Sequence, residues 1–245
     1  MSPLVVGHRG GRGDGWPPEN TLAAFERAHG VGARAIELDA RACAGGEVVV
    51  FHDATLERMT ASRDRRRVAE VSLVDLRGID LGSGATVPAL VDVLEWARVR
   101  KVGVNIELKH DVPSRIDLVR GTAKALRAGP TDVLLSSFDP LLLAMAATYA
   151  PTVPRALLTQ ARAAVWGVPV RELARPPMVA AIHLEAEQAS AGISRFLARG
   201  LRVGVWTVND ASVAIKLFDQ GVATVITDVP DQVLAALGAA RLTRR

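Results

Sequence analysis

Two short segments, Ile36-Glu37-Leu38-Asp39 and Val104-Asn105-Ile106-Glu107-Leu108-Lys109, alternate aliphatic with polar residues. Side chains alternate along a β-strand. Ile36 and Leu38 therefore share one face and Glu37 and Asp39 the other, as Asn105, Glu107 and Lys109 do in the second segment. A half-exposed amphipathic strand would explain either segment alone. Their surroundings argue otherwise, because both sit in a chain of short Val-, Ile- and Leu-rich runs that read as strands. The runs are Leu4–Val6, Ala35–Asp39, Val102–Leu108, Asp132–Ser136, Arg155–Leu158, Val179–Leu184, Leu201–Val208 and Thr224–Thr227.

Helical patterns lie between them: Asn20–Gly30 with Asn20 or Thr21 as N-cap, Ala89–Val99, Ser114–Ala128, Pro140–Ala150, Val170–Arg175, Glu187–Arg199, Ala211–Gln220 and Asp231–Ala240. Gly30, Gly129, Gly200 and Gly221 stand where helix-stopping glycines belong. Eight strands alternating with helices predict an α/β fold, a closed TIM (β/α)8 barrel. An open doubly wound sheet is the alternative. It usually carries a G-x-G-x-x-G phosphate loop, and the glycines of Gly10–Gly15 lack that spacing. The 245 residues match the roughly 250 of one barrel.

One run breaks the repeat. Glu47–Phe51 follows Asp39 too closely for a parallel crossover, so it predicts an antiparallel hairpin turned at Ala44-Gly45-Gly46. Residues 41–86 therefore read as a small inserted subdomain after strand two. No composition shift marks a linker, and 1–245 reads as a single domain.

In a parallel barrel the outer strand face packs on helices and must be apolar. The polar face then points inward, and residues at the carboxyl ends of the strands lie at the mouth. Glu37, Asp39 and Glu107 would converge there and repel one another. A hard divalent cation with oxygen ligands, Mg2+ or Ca2+, compensates such a cluster. His8 and His52 end strands beside it and read as an acid–base pair, although a lone histidine is more often structural. Arg9 and Lys109 add cationic donors of the kind that grip phosphate. Together these groups suit a phosphodiester better than a carbohydrate. Trp206 ends a late strand and offers a flat wall for a carbon skeleton, with a core tryptophan as the alternative. His183 ends the run Ala180-Ala181-Ile182-His183 and reads as a lining residue of the same pocket. His29 reads as a surface residue and His110 as a neighbour of the site.

Composition excludes other classes. Hydrophobic residues make up 49% and charged residues 23%, a globular balance. A single cysteine, Cys43, rules out a disulfide framework and cysteine-based metal sites; it reads as a small hydrophobe. The net charge of +4 is dispersed apart from Arg63–Arg67 and the Arg241–Arg245 tail, so no nucleic-acid partner is expected. No run approaches the ~20 apolar residues of a membrane span, and no signal segment is visible. A cytoplasmic location without stable membrane insertion is the expectation, and the oligomeric state stays open.

In order along the chain, His8-Arg9-Gly10, Pro18-Glu19-Asn20-Thr21, Glu37-Leu38-Asp39, His52-Asp53, Glu107-Leu108-Lys109, Ser136-Ser137-Phe138, Trp206-Thr207-Val208-Asn209 and Ile226-Thr227-Asp228-Val229-Pro230 resemble the motifs of the glycerophosphodiester phosphodiesterases. The resemblance implies a TIM barrel with a small insertion. It implies metal-dependent hydrolysis of a small-molecule glycerophosphodiester to sn-glycerol 3-phosphate and an alcohol. Glu37, Asp39 and Glu107 would bind the metal, His8 and His52 would be the acid and base, Arg9 and Lys109 would contact phosphate, and Trp206 would pack near the glycerol. The Pro18–Thr21 motif reads as a turn and helix cap. Ala42-Cys43-Ala44-Gly45-Gly46 stands where members of the family often have a Thr-Lys-Asp-Gly type of hairpin turn. Two rivals remain: lysophospholipase D-type chemistry on a lysolipid, and a non-catalytic barrel that binds a phosphorylated ligand.

Overall fold

A computed structural model of the chain describes residues 3–127, 132–160, 164–165 and 168–243. The elements run β1 (Leu4–Gly7), α1 (Leu22–Gly30), β2 (Ala35–Ala42), β3 (Val48–Val50), α2 (Leu73–Arg77), β4 (Asp80–Gly82), β5 (Ala85–Thr86) and α3 (Leu90–Arg100). They continue with β6 (Gly103–Leu108), α4 (Arg115–Leu126), β7 (Val133–Ser137), α5 (Pro140–Tyr149), β8 (Arg155–Thr159), β9 (Ala164–Val165) and β10 (Val168–Pro169). The last are β11 (Ala181–Glu185), α6 (Ala189–Ala198), β12 (Arg202–Trp206), α7 (Ala211–Asp219), β13 (Thr224–Thr227) and α8 (Pro230–Thr243). Strands β1, β2, β6, β7, β8, β11, β12 and β13 pair in parallel in that order, and β13 returns to β1. The sheet is closed, and the fold is a TIM (β/α)8 barrel.

The alternation read from the sequence sorts the two faces. Ile36, Leu38, Val104 and Ile106 are buried in one apolar layer with the helix residues Phe25, Leu94, Leu118 and Leu142. A second layer gathers Val5, Ile182, Val203, Val205 and Val225 with Ile193, Phe196 and Leu217. Burying a large aliphatic side chain contributes ~1.5–3 kcal/mol, so these outward faces fix the register. A one-residue slip would put Glu37 and Asp39 into the apolar layer.

Side-chain caps start the helices. Thr21 accepts from the N–H of Ala24, Ser114 from Asp117, Asp139 from Leu141, and Asp210 from Ser212 and Val213. The cap of α1 is thus Thr21, and Asn20 is left for another role. One expected helix does not form: Val170–Arg175 contains only a 3-10 turn over Val170–Leu173, after the β9–β10 hairpin. The residue before a proline is disfavoured in helical conformation, and Pro176-Pro177 closes the segment too soon for an α-helix.

Between β2 and α3 the chain makes the expected hairpin. Strand β3 pairs antiparallel with β2, with Ala40 opposite Val50 and Ala42 opposite Val48. Gly45 and Gly46 turn it with φ of 97° and 84°, a conformation that favours glycine. The insertion has its own apolar cluster of Val49, Phe51, Leu56, Val68, Leu76 and Val87. Cys43 lies in that cluster, where burial and then Glu47 push its thiol pKa up. Among the described residues no helix is long and apolar enough to cross a membrane.

Candidate active site

The register of β2 against β6 puts Glu37 beside Asn105 and Asp39 beside Glu107. All four are buried. One carboxylate oxygen from each of Glu37, Asp39 and Glu107 can lie within 4.8 Å of the other two. Lys109 Nζ bridges Asp39 Oδ1 at 3.2 Å and Glu107 Oε1 at 2.9 Å. Arg9 Nε lies 3.1 Å from Asp39 Oδ2. Glu37 is compensated least: it accepts the Arg9 backbone N–H at 3.0 Å and faces His8 Nε2 at 3.9 Å. Arg9 reaches this position with a left-handed backbone, φ 53°.

The electrostatics follow from these contacts. Burial raises the Asp39 pKa, but Lys109 and Arg9 outweigh it and hold the group well below the usual carboxylate range. Burial, then Asp39 and Glu107, lift Glu37 well above its ordinary value. Burial and Asp39 push Glu107 up to about 7, against the pull of Lys109. Three carboxylates thus face two fixed cations, and a positive charge is still wanting. The oxygen-only donor set and its tight spacing fit a hard divalent cation such as Mg2+ or Ca2+.

Each histidine is backed by a carboxylate. His8 Nδ1 is 2.7 Å from Asp228 Oδ1. Asp228 also accepts from Arg12 Nε at 2.9 Å, Arg12 Nη2 at 3.0 Å and Asn209 Nδ2 at 2.9 Å. Burial lowers the His8 pKa, and Asp228 opposes that shift. Burial pushes Asp228 upward, but His8, Asn209 and Arg12 leave it far below the carboxylate norm. His52 Nδ1 is 2.6 Å from Asp53 Oδ1, and Asp53 is held in turn by Arg58 Nε at 2.5 Å. Burial lowers the His52 pKa as well, against Asp39. On balance burial wins at both rings, so each pKa lies below the ordinary imidazole value and the neutral form is favoured.

The hairpin delivers His52. The N–H of Phe51 donates to Asp39 O at 2.8 Å, continuing the pairing to the barrel rim. Buried Arg41 donates from Nε to the His52 carbonyl at 2.8 Å and from Nη2 to both oxygens of Asp111, at 2.7 and 2.8 Å. It ties the His52 loop to the loop after Lys109. The Pro18–Thr21 motif does more than cap a helix. Glu19 accepts from Arg9, Arg12 and Arg58. Asn20 Nδ2 donates to Asp39 Oδ2 at 2.8 Å, and its Oδ1 accepts from the Asp39 N–H at 3.2 Å.

These groups surround a cavity of about 420 Å³ at the barrel mouth, lined by His8, Arg9, Glu37, His52, Glu107, Lys109 and Trp206. Trp206 meets Phe138 edge-on at 5.4 Å, and His110 flanks Phe138 at 6.1 Å, so these rings form an aromatic part of the cavity wall. His29 is half-buried and packs edge-on to Trp96 at 6.4 Å. His183 corrects the sequence reading. Strand β11 runs on to Glu185, so His183 is mid-strand and lines a second, deeper cavity of about 130 Å³ instead. Its ring lies over Gly204, where an added Cβ would come within 2.5 Å of it. Burial, then Arg202, push its pKa down to about 4.

Sequence reasoning gave no role in the site to Asp228, Asp53, Glu19, Asn20 (read only as a candidate N-cap), Arg41 or Asp111. The first four stood within recognised motifs, and that was the available signal. Arg41 and Asp111 carried none, because their pairing joins a strand residue to a loop residue 70 positions apart.

Fold and site define an α/β barrel whose mouth holds a buried carboxylate cluster beside two cationic and two imidazole side chains. Comparison with known proteins narrows this class. The model of the glycerophosphoryl diester phosphodiesterase family matches residues 8–232, and the chain belongs to that family of phosphoric diester hydrolases. A glycerophosphodiester phosphodiesterase of Caldanaerobacter subterraneus is 29% identical, over 96% of this chain and 97% of its own. The uncharacterized protein YqiK of Bacillus subtilis is 31% identical, over 95% and 98%. Among solved structures, a phosphodiesterase of Oleispira antarctica in complex with the product sn-glycerol-3-phosphate is 28% identical. It superposes with a TM-score of 0.83, over 96% of this chain and 97% of that one.

Proposed function

We propose that the protein hydrolyses glycerophosphodiesters to sn-glycerol 3-phosphate and an alcohol, with Glu37, Asp39 and Glu107 holding a divalent cation, Mg2+ or Ca2+. The observation that carries this reading is the convergence of three buried carboxylates beside two carboxylate-backed imidazoles. When bound, the cation supplies electrophilic polarisation of the phosphoryl group. Arg9 and Lys109 orient the phosphate and stabilise the charge that grows on its oxygens. Of His8 and His52, one takes a proton from the nucleophile and the other gives one to the departing alkoxide. Asp228 and Asp53 hold the two rings with Nδ1 occupied, which leaves Nε2 for the reaction. Trp206 and Phe138 form the wall along which the carbon skeleton lies.

The chain acts in this reading as one catalytic domain, 1–245, in which residues 41–86 are an insertion that carries His52. It works on a small-molecule substrate, in the cytoplasm, without nucleic acid or membrane insertion. A lysolipid substrate has less support. Leu56 is buried in the insertion's own core, and the neighbouring exposed surface is carried by Arg58, Arg63, Arg65 and Arg66. The test is a panel of glycerophosphocholine, glycerophosphoethanolamine and lysophosphatidylcholine, each assayed with Mg2+ and with Ca2+. Release of sn-glycerol 3-phosphate from the water-soluble diesters is expected. Turnover of the lysolipid alone would replace this reading with lysophospholipase D chemistry, and turnover of none would leave a binding barrel.

A further inference from the structure

Asn105 stands out among the inward-facing residues. It is 6% exposed, and among the described residues neither its Oδ1 nor its Nδ2 finds a hydrogen-bond partner. A buried amide without partners carries its full desolvation penalty, so such a group normally serves a ligand or a bound water. Its place says which. It sits two residues before Glu107 on the same inward face of β6 and directly beside Glu37 in the barrel register. It lines the mouth cavity together with Glu37, Glu107 and His8, and it also lines the deeper cavity that holds His183. Asn105 is therefore part of the floor of the carboxylate cluster.

Divalent cations of this class take six or more oxygens, and amide oxygens are regular members of such sets. The cluster provides three carboxylates. A fourth would add to the repulsion among three carboxylates whose oxygens already lie within 4.8 Å of one another. A neutral oxygen adds a donor without that cost. We propose that Asn105 completes the cation site from below, offering its side-chain Oδ1 as a neutral donor, directly or across one bound water. Its Nδ2 then points away from the ion, toward the deeper cavity that His183 also lines. The inference deepens the reading above and rests on it.

Calorimetric titration of Mg2+ alone and of Ca2+ alone into the full chain tests it, with Asn105→Leu, Asn105→Ala and Asn105→Asp as variants. Thermal unfolding in chelator reports whether each variant folds; if the leucine variant does not, the alanine variant carries the test. Loss of the donor is expected to weaken binding about 10–100-fold. The aspartate variant, which restores an oxygen at the cost of a fourth carboxylate, is expected to bind the ion more tightly than the alanine variant. Wild-type affinity in the leucine or alanine variant overturns the proposal, as does an aspartate variant as weak as the alanine one. Both of those results leave the carboxylate site standing. A wild-type chain that binds neither ion overturns the proposal and the cation-centred reading together.

Discussion

Asp228→Asn removes one charge and almost no volume, so it tests whether the His8–Asp228 pair works as a unit. In the structure the carboxylate receives four donors: His8 Nδ1, Arg12 Nε, Arg12 Nη2 and Asn209 Nδ2. An asparagine offers one oxygen and one NH2 group. With its oxygen toward His8, the NH2 group meets the donors of Arg12 and Asn209. Turned over, it meets the ring Nδ1–H. Either way a charge-assisted hydrogen bond is lost, worth ~1.5–3 kcal/mol. If that support is felt in the transition state, kcat falls roughly 10–150-fold. KM should change little, because Asp228 is outside the set of cavity-lining residues. The sign of the pH effect follows from the same contact. Asp228 raises the His8 pKa against the lowering by burial. Its neutralisation therefore moves the limb of the kcat–pH profile that reports His8 toward lower pH. The assay is a pH–rate profile on a water-soluble glycerophosphodiester. Unchanged kcat with both limbs in place would refute the reasoning, as would a loss confined to KM.

Three further outcomes are expected. His8→Ala and His52→Ala should each lower kcat about 100-fold or more, and near-normal turnover in either removes that ring from the mechanism. Arg41→Met should cost ~1–3 kcal/mol of stability and lower kcat by loosening the His52 loop; chemical denaturation beside a turnover assay checks both, and an unaffected kcat would make Arg41 structural only. Gly204→Ala drives a Cβ to within 2.5 Å of the fully enclosed His183 ring. Overpacking of this kind costs ~1–3 kcal/mol, seen as a lowered Tm, and an unchanged Tm would show that the ring has room to move.

The barrel was legible because strand alternation and helix spacing are local properties of the chain. Ile36 and Leu38 could face only the helices, so Glu37 and Asp39 had to face inward, and the structure brings them together with Glu107. The antiparallel hairpin was legible for a similar reason, since its turn is too short for anything else. Three features were not. Whether Val170–Arg175 forms a helix depended on the diproline that follows it, and the proline won over the apolar spacing. The level of His183 depended on where β11 ends, and two more residues of pairing sank it below the mouth. The supports of the site, such as Arg41 with Asp111 and Asp228 with His8, join positions far apart in the chain. Only the closed barrel brings such partners into contact, and no local pattern announces them.

The most direct test of the account follows sn-glycerol 3-phosphate released from a glycerophosphodiester by the chelator-treated enzyme as Mg2+ is titrated back, beside an Asp39→Asn variant. Turnover that is absent after chelation, returns with the ion, and stays absent in the variant is the predicted result. Full activity in chelator, or wild-type activity in the variant, would contradict it.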